Sequence, residues 1–137
     1  MSKKIASAKK DEKNIPFIHI IISSIIGTLF YYIFIAIFAL SALESSINQS
    51  SYFIAGLILS GVAGLISGFI SVKLTKEKGM FFGGLTGFIQ SVFSSIIIFC
   101  LNKGTAGKGI FVLIGLTTLM SAVGGVIAVN IKKKIKY

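Results

Sequence analysis

Four stretches of this chain carry no formal charge, and each is long enough to cross a lipid bilayer: residues 17–43, 52–72, 80–101 and 109–131. A helix needs about 20 apolar residues, at 1.5 Å each, to cross a hydrocarbon layer of about 30 Å. All four meet that length. Backbone amides in lipid must be satisfied within their own segment, and runs this long and uniformly apolar do not suit barrel strands. The expected fold is therefore an all-α membrane protein, a four-transmembrane-helix bundle made of two antiparallel hairpins. A basic arm (1–16) precedes the membrane domain (17–131) and a basic tail (132–137) follows it.

Composition agrees with that solvent. Hydrophobic residues make up 54% of the 137 positions and charged ones 13%, where a soluble domain carries about 25% charged. Mean hydropathy is +0.91. The net charge of +10 would suggest nucleic acid in a soluble protein. In a membrane protein it points to anionic lipid head groups on the cytoplasmic side, and no nucleic-acid partner is expected. Cys100 is alone, which excludes an intrachain disulfide framework and a CxxC site. The chain has no Arg and 25 Ile, a bias that points to an AT-rich bacterial genome and hence to a bacterial plasma membrane.

The lysines set the orientation. Five lie in the arm (Lys3, Lys4, Lys9, Lys10, Lys13), three between the second and third spans (Lys73, Lys76, Lys78) and four in the tail (Lys132, Lys133, Lys134, Lys136). With four spans these 12 share one side, against Lys103 and Lys108 on the other. The positive-inside bias places both termini in the cytoplasm. A cleaved signal peptide is the competing reading of the basic N-terminus, but its apolar region usually runs about 7–15 residues, far short of the first span. Pro16 suits the position just ahead of the first helix or its first turn, with Asn14 as cap. Asn130 is expected to help end the fourth span.

Helices in lipid associate by close packing and interhelical hydrogen bonds, so small residues at every fourth position mark contact faces. The second span carries Gly56, Ser60, Gly64 and Gly68, and the third Gly79, Gly83, Gly87, Ser91 and Ser95. Two such ladders joined by the short turn KLTKEK predict a close pair of helices. The fourth span has Thr117, Ser121 and Gly125 flanked by Gly124, and the first has Ser23, Gly27 and Thr28. These glycines either permit packing, the preferred reading, or let helices slide and bend. Ser60–Ser67 (SGVAGLIS) and Ser121–Ala128 (SAVGGVIA) match at four of eight positions, which leaves duplication and accident both open.

Groups that could carry chemistry are scarce in the spans. No Asp or Glu lies in any of them, which removes the usual proton-coupling carboxylate and argues against the small multidrug transporters that depend on such a Glu. No catalytic residue, cofactor site or metal-ligand set is expected. Gln90, near the middle of the third span, needs a partner on another helix, and Tyr31 or Tyr32 are candidates. It is either glue, the preferred reading, or a pore group. Ser91, Ser94 and Ser95 either line a polar seam beside it or bond to carbonyls of their own helix. His19 reads as an interfacial imidazole. Lys73, Lys76, Lys78, Lys132, Lys133 and Lys134 read as topological anchors and head-group contacts. GTAGKG (Gly104–Gly109) lacks the spacing and the following Ser or Thr of a phosphate loop.

Lys78-Gly79 opening a span with Gly83 and Gly87, and GGVIAVN (Gly124–Asn130) before a basic tail, resemble the YrzE-like membrane proteins of Firmicutes. The resemblance covers roughly residues 55–134. It implies a four-helix protein of a Gram-positive plasma membrane and transfers no activity and no catalytic residue. The family often carries Tyr where this chain has Gln90. The sequence thus favours a non-enzymatic structural or accessory component of the membrane, compatible with a homo-oligomer. A small oligomeric transporter or channel is the alternative, and a holin-like permeabiliser a further one.

Overall fold

The four charge-free segments become four helices, α1 (Ser2–Leu43), α2 (Gln49–Thr75), α3 (Gly79–Leu101) and α4 (Gly109–Ile135), in an all-α bundle. In this computed structural model the described backbone is residues 2–135 other than 45, 47, 77, 102, 105 and 106. Side chains are described from Phe17 to Lys134, without those six and Gln49. Each helix contains a segment long and apolar enough to cross a membrane: Phe17–Leu43, Ser50–Thr75, Gly79–Leu101 and Gly109–Lys134.

Helix ends fall where local chemistry closes them. Asn48, extended at φ −63° and ψ 144°, precedes α2, and its carbonyl accepts the Ser51 amide at 2.9 Å. Lys76 takes the left-handed conformation (φ 57°) and donates its amide to the Val72 carbonyl at 2.9 Å, stopping α2. Past α3, Lys103 (φ 53°) and Gly104 (φ 85°) are both left-handed. The Gly104 amide there reaches back to the Phe99 carbonyl at 3.0 Å.

Three local expectations are corrected. Helix α1 does not begin at Pro16 with Asn14 as cap; it starts at Ser2 and runs through both. Pro16 removes one intrahelical amide there, but the Ala- and Lys-rich residues before it have high helix propensity. Asn130 does not end α4, which continues to Ile135 and takes Lys132, Lys133 and Lys134 into its last turn. Cations are favoured at that end, where the unpaired carbonyls concentrate negative charge. Lys73 likewise lies in the last turn of α2, so the link to α3 is shorter than KLTKEK suggests.

The third correction concerns what joins the helix pair: α2 and α3 do pack together, but their glycine ladders face α4 and not each other. The packing of α2 on α3 is less extensive than that of either helix on α4, which lies along both. On their other side α1 also contacts both, and the backbones of α1 and α4 do not meet among the described residues. The bundle is a diamond with α2 and α3 across its short diagonal. A two-fold relation between the hairpins would map the α2–α3 contact onto one between α4 and α1, which is missing, so the packing lacks that symmetry.

Side chains are distributed as lipid requires. Large apolar groups point outward, Phe111 being 79% exposed and Leu40 67%. The interior holds Gly, Ser, Thr and Gln90, with a few apolar residues such as Ile20, Tyr31, Ala63 and Leu113. Apolar side chains gain nothing from leaving lipid, so the space between helices goes to groups that allow close approach or hydrogen bonding.

Candidate functional site

Helix α3 positions the interior through two rows of small residues. Gly79, Gly83 and Gly87 face α4: a Cβ on Gly83 would lie 2.6 Å from the Ser121 carbonyl oxygen, and one on Gly87 2.8 Å from that of Thr117. Gly79 meets the Gly125 carbonyl and the Val129 side chain. Thr86 and Gln90 adjoin Gly87 and Ser91 in sequence, so they sit about 100° around the helix and face α1 and α2. The same division holds in α2, where Gly64 and Gly68 abut Thr117 and Ser121 of α4 while Ser67 and Ser71 reach α3.

The second faces make a polar seam through the bundle. Ser67 on α2 donates to Gln90 Oε1 on α3. Thr86 donates to the Ser71 hydroxyl at 2.6 Å, and Ser24 on α1 donates to the Thr86 carbonyl at 3.1 Å. Gly27 of α1 covers the centre, where a Cβ would stand 2.6 Å from Gln90 Oε1 and 2.5 Å from Ser67 Cβ. Gln90 is 1% exposed, and Ser24, Ser67, Ser71 and Thr86 are fully buried. The seam joins three helices through hydroxyls and one amide and contains no ionisable group.

Several expected site residues fall as the sequence suggests, and others do not. Gly64, Gly68, Gly79, Gly83, Gly87, Gly124 and Gly125 are all at helix contacts, Gly124 against the backbone of Leu65. Ser60 is buried, bonding to the Leu57 carbonyl. Gly56 has nothing within 4 Å of a Cβ, so its ladder stops one step earlier than predicted. Gln90 bonds to Ser67, not to Tyr31 or Tyr32; the Tyr32 hydroxyl reaches the Ser94 carbonyl at 3.4 Å. Ser91 and Ser95 bond at 2.7 Å to Phe88 and Ser91 carbonyls of their own helix, and Ser94 is buried. His19 Nδ1 is buried with no hydrogen-bond partner among the described residues.

Sequence reasoning missed Ser24, Ser71 and Thr86 as site residues, and took Ser67 only as part of a repeat. The available signal was the 86, 90, 94 spacing of Thr, Gln and Ser on α3, a second i, i+4 row beside the glycines.

The bundle opens at both ends. Near the α1–α2 and α3–α4 turns a cavity of about 390 Å³ lies between Tyr31, Ile35, Leu57, Ile98 and Leu113, with Tyr52 and Gly109 at its edge. At the opposite end, where α2 and α4 finish, a groove of about 380 Å³ runs between these two helices. Lys73, Lys76 and Lys132 line that groove; Lys78, Lys133 and Lys134 are exposed outside it. Among the described residues no cluster of three His, Cys, Asp or Glu side chains could hold a metal ion. No protein family, curated protein or solved structure matches the chain.

Proposed function

We propose that this chain is a non-enzymatic structural or accessory component of a bacterial plasma membrane, with both termini in the cytoplasm. Four helices of bilayer length give the membrane part of that reading, and the 12-to-2 division of the lysines gives the orientation. The proposed resemblance to YrzE-like membrane proteins rests on sequence alone, on Gly79, Gly83, Gly87 and the GGVIAVN segment.

One observation carries the choice of a structural role over a transporter: the closure of the bundle at Gln90. Its amide oxygen is held by Ser67 and covered by Gly27, and the neighbouring serines Ser91 and Ser95 satisfy their hydroxyls within α3. A group spent on joining helices is glue. Reconstitution into liposomes with a panel of ions and small solutes tests the reading. The expected result is flux no higher than in protein-free vesicles; sustained flux that is lost in Gln90→Leu would sink it in favour of a transporter or channel. Induced expression causing lysis or loss of membrane potential would instead favour a permeabiliser.

A further inference from the structure

The groove between the ends of α2 and α4 combines two features that lie apart elsewhere in the bundle. Its floor is apolar, made by Phe69 and Val72 of α2 and by Ala128 and Ile131 of α4. Its mouth carries Lys73, Lys76 and Lys132, all exposed. The lysines come from two helix ends brought together by packing, since the backbones of Gly64 and Gly68 lie against Thr117 and Ser121 farther along the same pair. Lys76 is held by the left-handed turn that stops α2. The volume, about 380 Å³, falls in the range of small-ligand clefts, roughly 300–1,000 Å³.

We propose that this groove binds one anionic phospholipid, its phosphate among Lys73, Lys76 and Lys132 and part of an acyl chain along Phe69, Val72, Ala128 and Ile131. Charge complementarity argues for the head group, because three cations converge there and Lys132 approaches from a different helix than Lys73 and Lys76. The apolar floor argues for a lipid over a soluble anion, since phosphate alone would leave that surface unused. The site lies where a head group belongs, at the end of membrane-length segments. The inference rests on the chain spanning a membrane and is independent of whether it passes solutes, so flux in liposomes would overturn the structural reading and leave this one standing.

The test compares lipids that remain bound when the protein is extracted from vesicles of equal parts phosphatidylglycerol and phosphatidylcholine and weighed by native mass spectrometry. Lys73→Gln/Lys76→Gln/Lys132→Gln removes the mouth. Lys78→Gln/Lys133→Gln/Lys134→Gln removes the same charge outside the groove. Ile131→Trp fills the groove without changing charge, and all six lysines and Ile131 are exposed, so these variants leave the helix contacts intact. Lysines lining the groove act on the lipid that stays bound after extraction, whereas lysines outside it attract only the surrounding bilayer, so the first triple should lower the bound phosphatidylglycerol-to-phosphatidylcholine ratio by at least about tenfold. The second triple should change it by less than about threefold, and Ile131→Trp should lower retention of both lipids. Equal losses in the two triples would show diffuse surface attraction and overturn the proposal. So would unchanged retention in Ile131→Trp, or displacement of the lipid by glycerol phosphate, which would identify a free-anion site.

Discussion

Ser121 on α4 donates a hydrogen bond of 2.6 Å to the backbone carbonyl of Gly83 on α3. The same serine meets Gly68 of α2 and Gly87 of α3, so one small side chain receives both glycine faces. The ladders of α2 and α3 are therefore complementary to α4 and only secondarily to each other.

This arrangement predicts which glycines tolerate a side chain. Gly68→Leu and Gly87→Leu would push into the Ser121 backbone and side chain, where no flexible group can give way, and should destabilise by about 1–3 kcal/mol or more. Gly56→Leu and Gly115→Leu enter open space and should stay within about 0.5 kcal/mol of the parent. Thermal melts in mild detergent separate the two classes. Equal losses at all four positions would mean that the ladder of α2 continues through Gly56.

The Gln90 seam predicts a smaller and coupled effect. Gln90→Leu removes the bond from Ser67, but Ser67 still donates to the Gly64 carbonyl at 3.0 Å. Its cost should therefore be about 0.6 kcal/mol and at most about 1.7 kcal/mol, the range of interhelical hydrogen bonds in membranes. Gly27→Ala should cost more, since its Cβ meets both Gln90 and Ser67. Shortening the amide in Gln90→Ala should recover part of that loss. A double-mutant cycle at 27 and 90 that proves additive would place Gln90 away from Gly27.

How far the sequence reveals this structure follows from what each signal measures. Span count and approximate limits are legible because lipid excludes charge, and runs such as 80–101 end at lysines or polar turns. The partner of a glycine ladder is not legible, since Gly64 and Gly83 specify a close approach without specifying to what. Gln90 announces a need for a partner, and its identity depends on the rotation of α2, which brings Ser67 rather than a tyrosine within reach. Pro16 and Asn130 are weaker stops than their residue types suggest, because α1 includes an Ala- and Lys-rich stretch ahead of Pro16 and α4 carries on from Asn130 into a Lys-rich last turn.

His19 offers a test of an unmet polar group. Its Nδ1 is buried without a partner among the described residues, while its backbone carbonyl accepts the Ser23 hydroxyl at 2.8 Å. A buried polar atom left unpaired costs about 1–3 kcal/mol. His19→Leu keeps the carbonyl and removes that atom, so its melting temperature should equal or exceed the parent's. A clear loss of stability would show that the imidazole makes a bond in the membrane.

The orientation can be read from both sides of the bundle. Ser46 lies in the turn between α1 and α2, and Lys78 in the turn between α2 and α3, both exposed. These turns are at opposite ends, since α1 meets α2 antiparallel, with the Tyr52 hydroxyl at the Ala42 carbonyl near one end and Gly27 on Ser67 farther along. Cys100 is an exposed thiol near the end of α3, so the background is Cys100→Ser. In intact cells a membrane-impermeant maleimide should label Ser46→Cys and spare Lys78→Cys, and permeabilisation should make both reactive. The positive-inside bias requires that order, because Lys78 belongs to the lysine-rich side. Labelling of Lys78→Cys before permeabilisation, with Ser46→Cys protected, would invert the topology and place the lysine-lined groove in the outer leaflet.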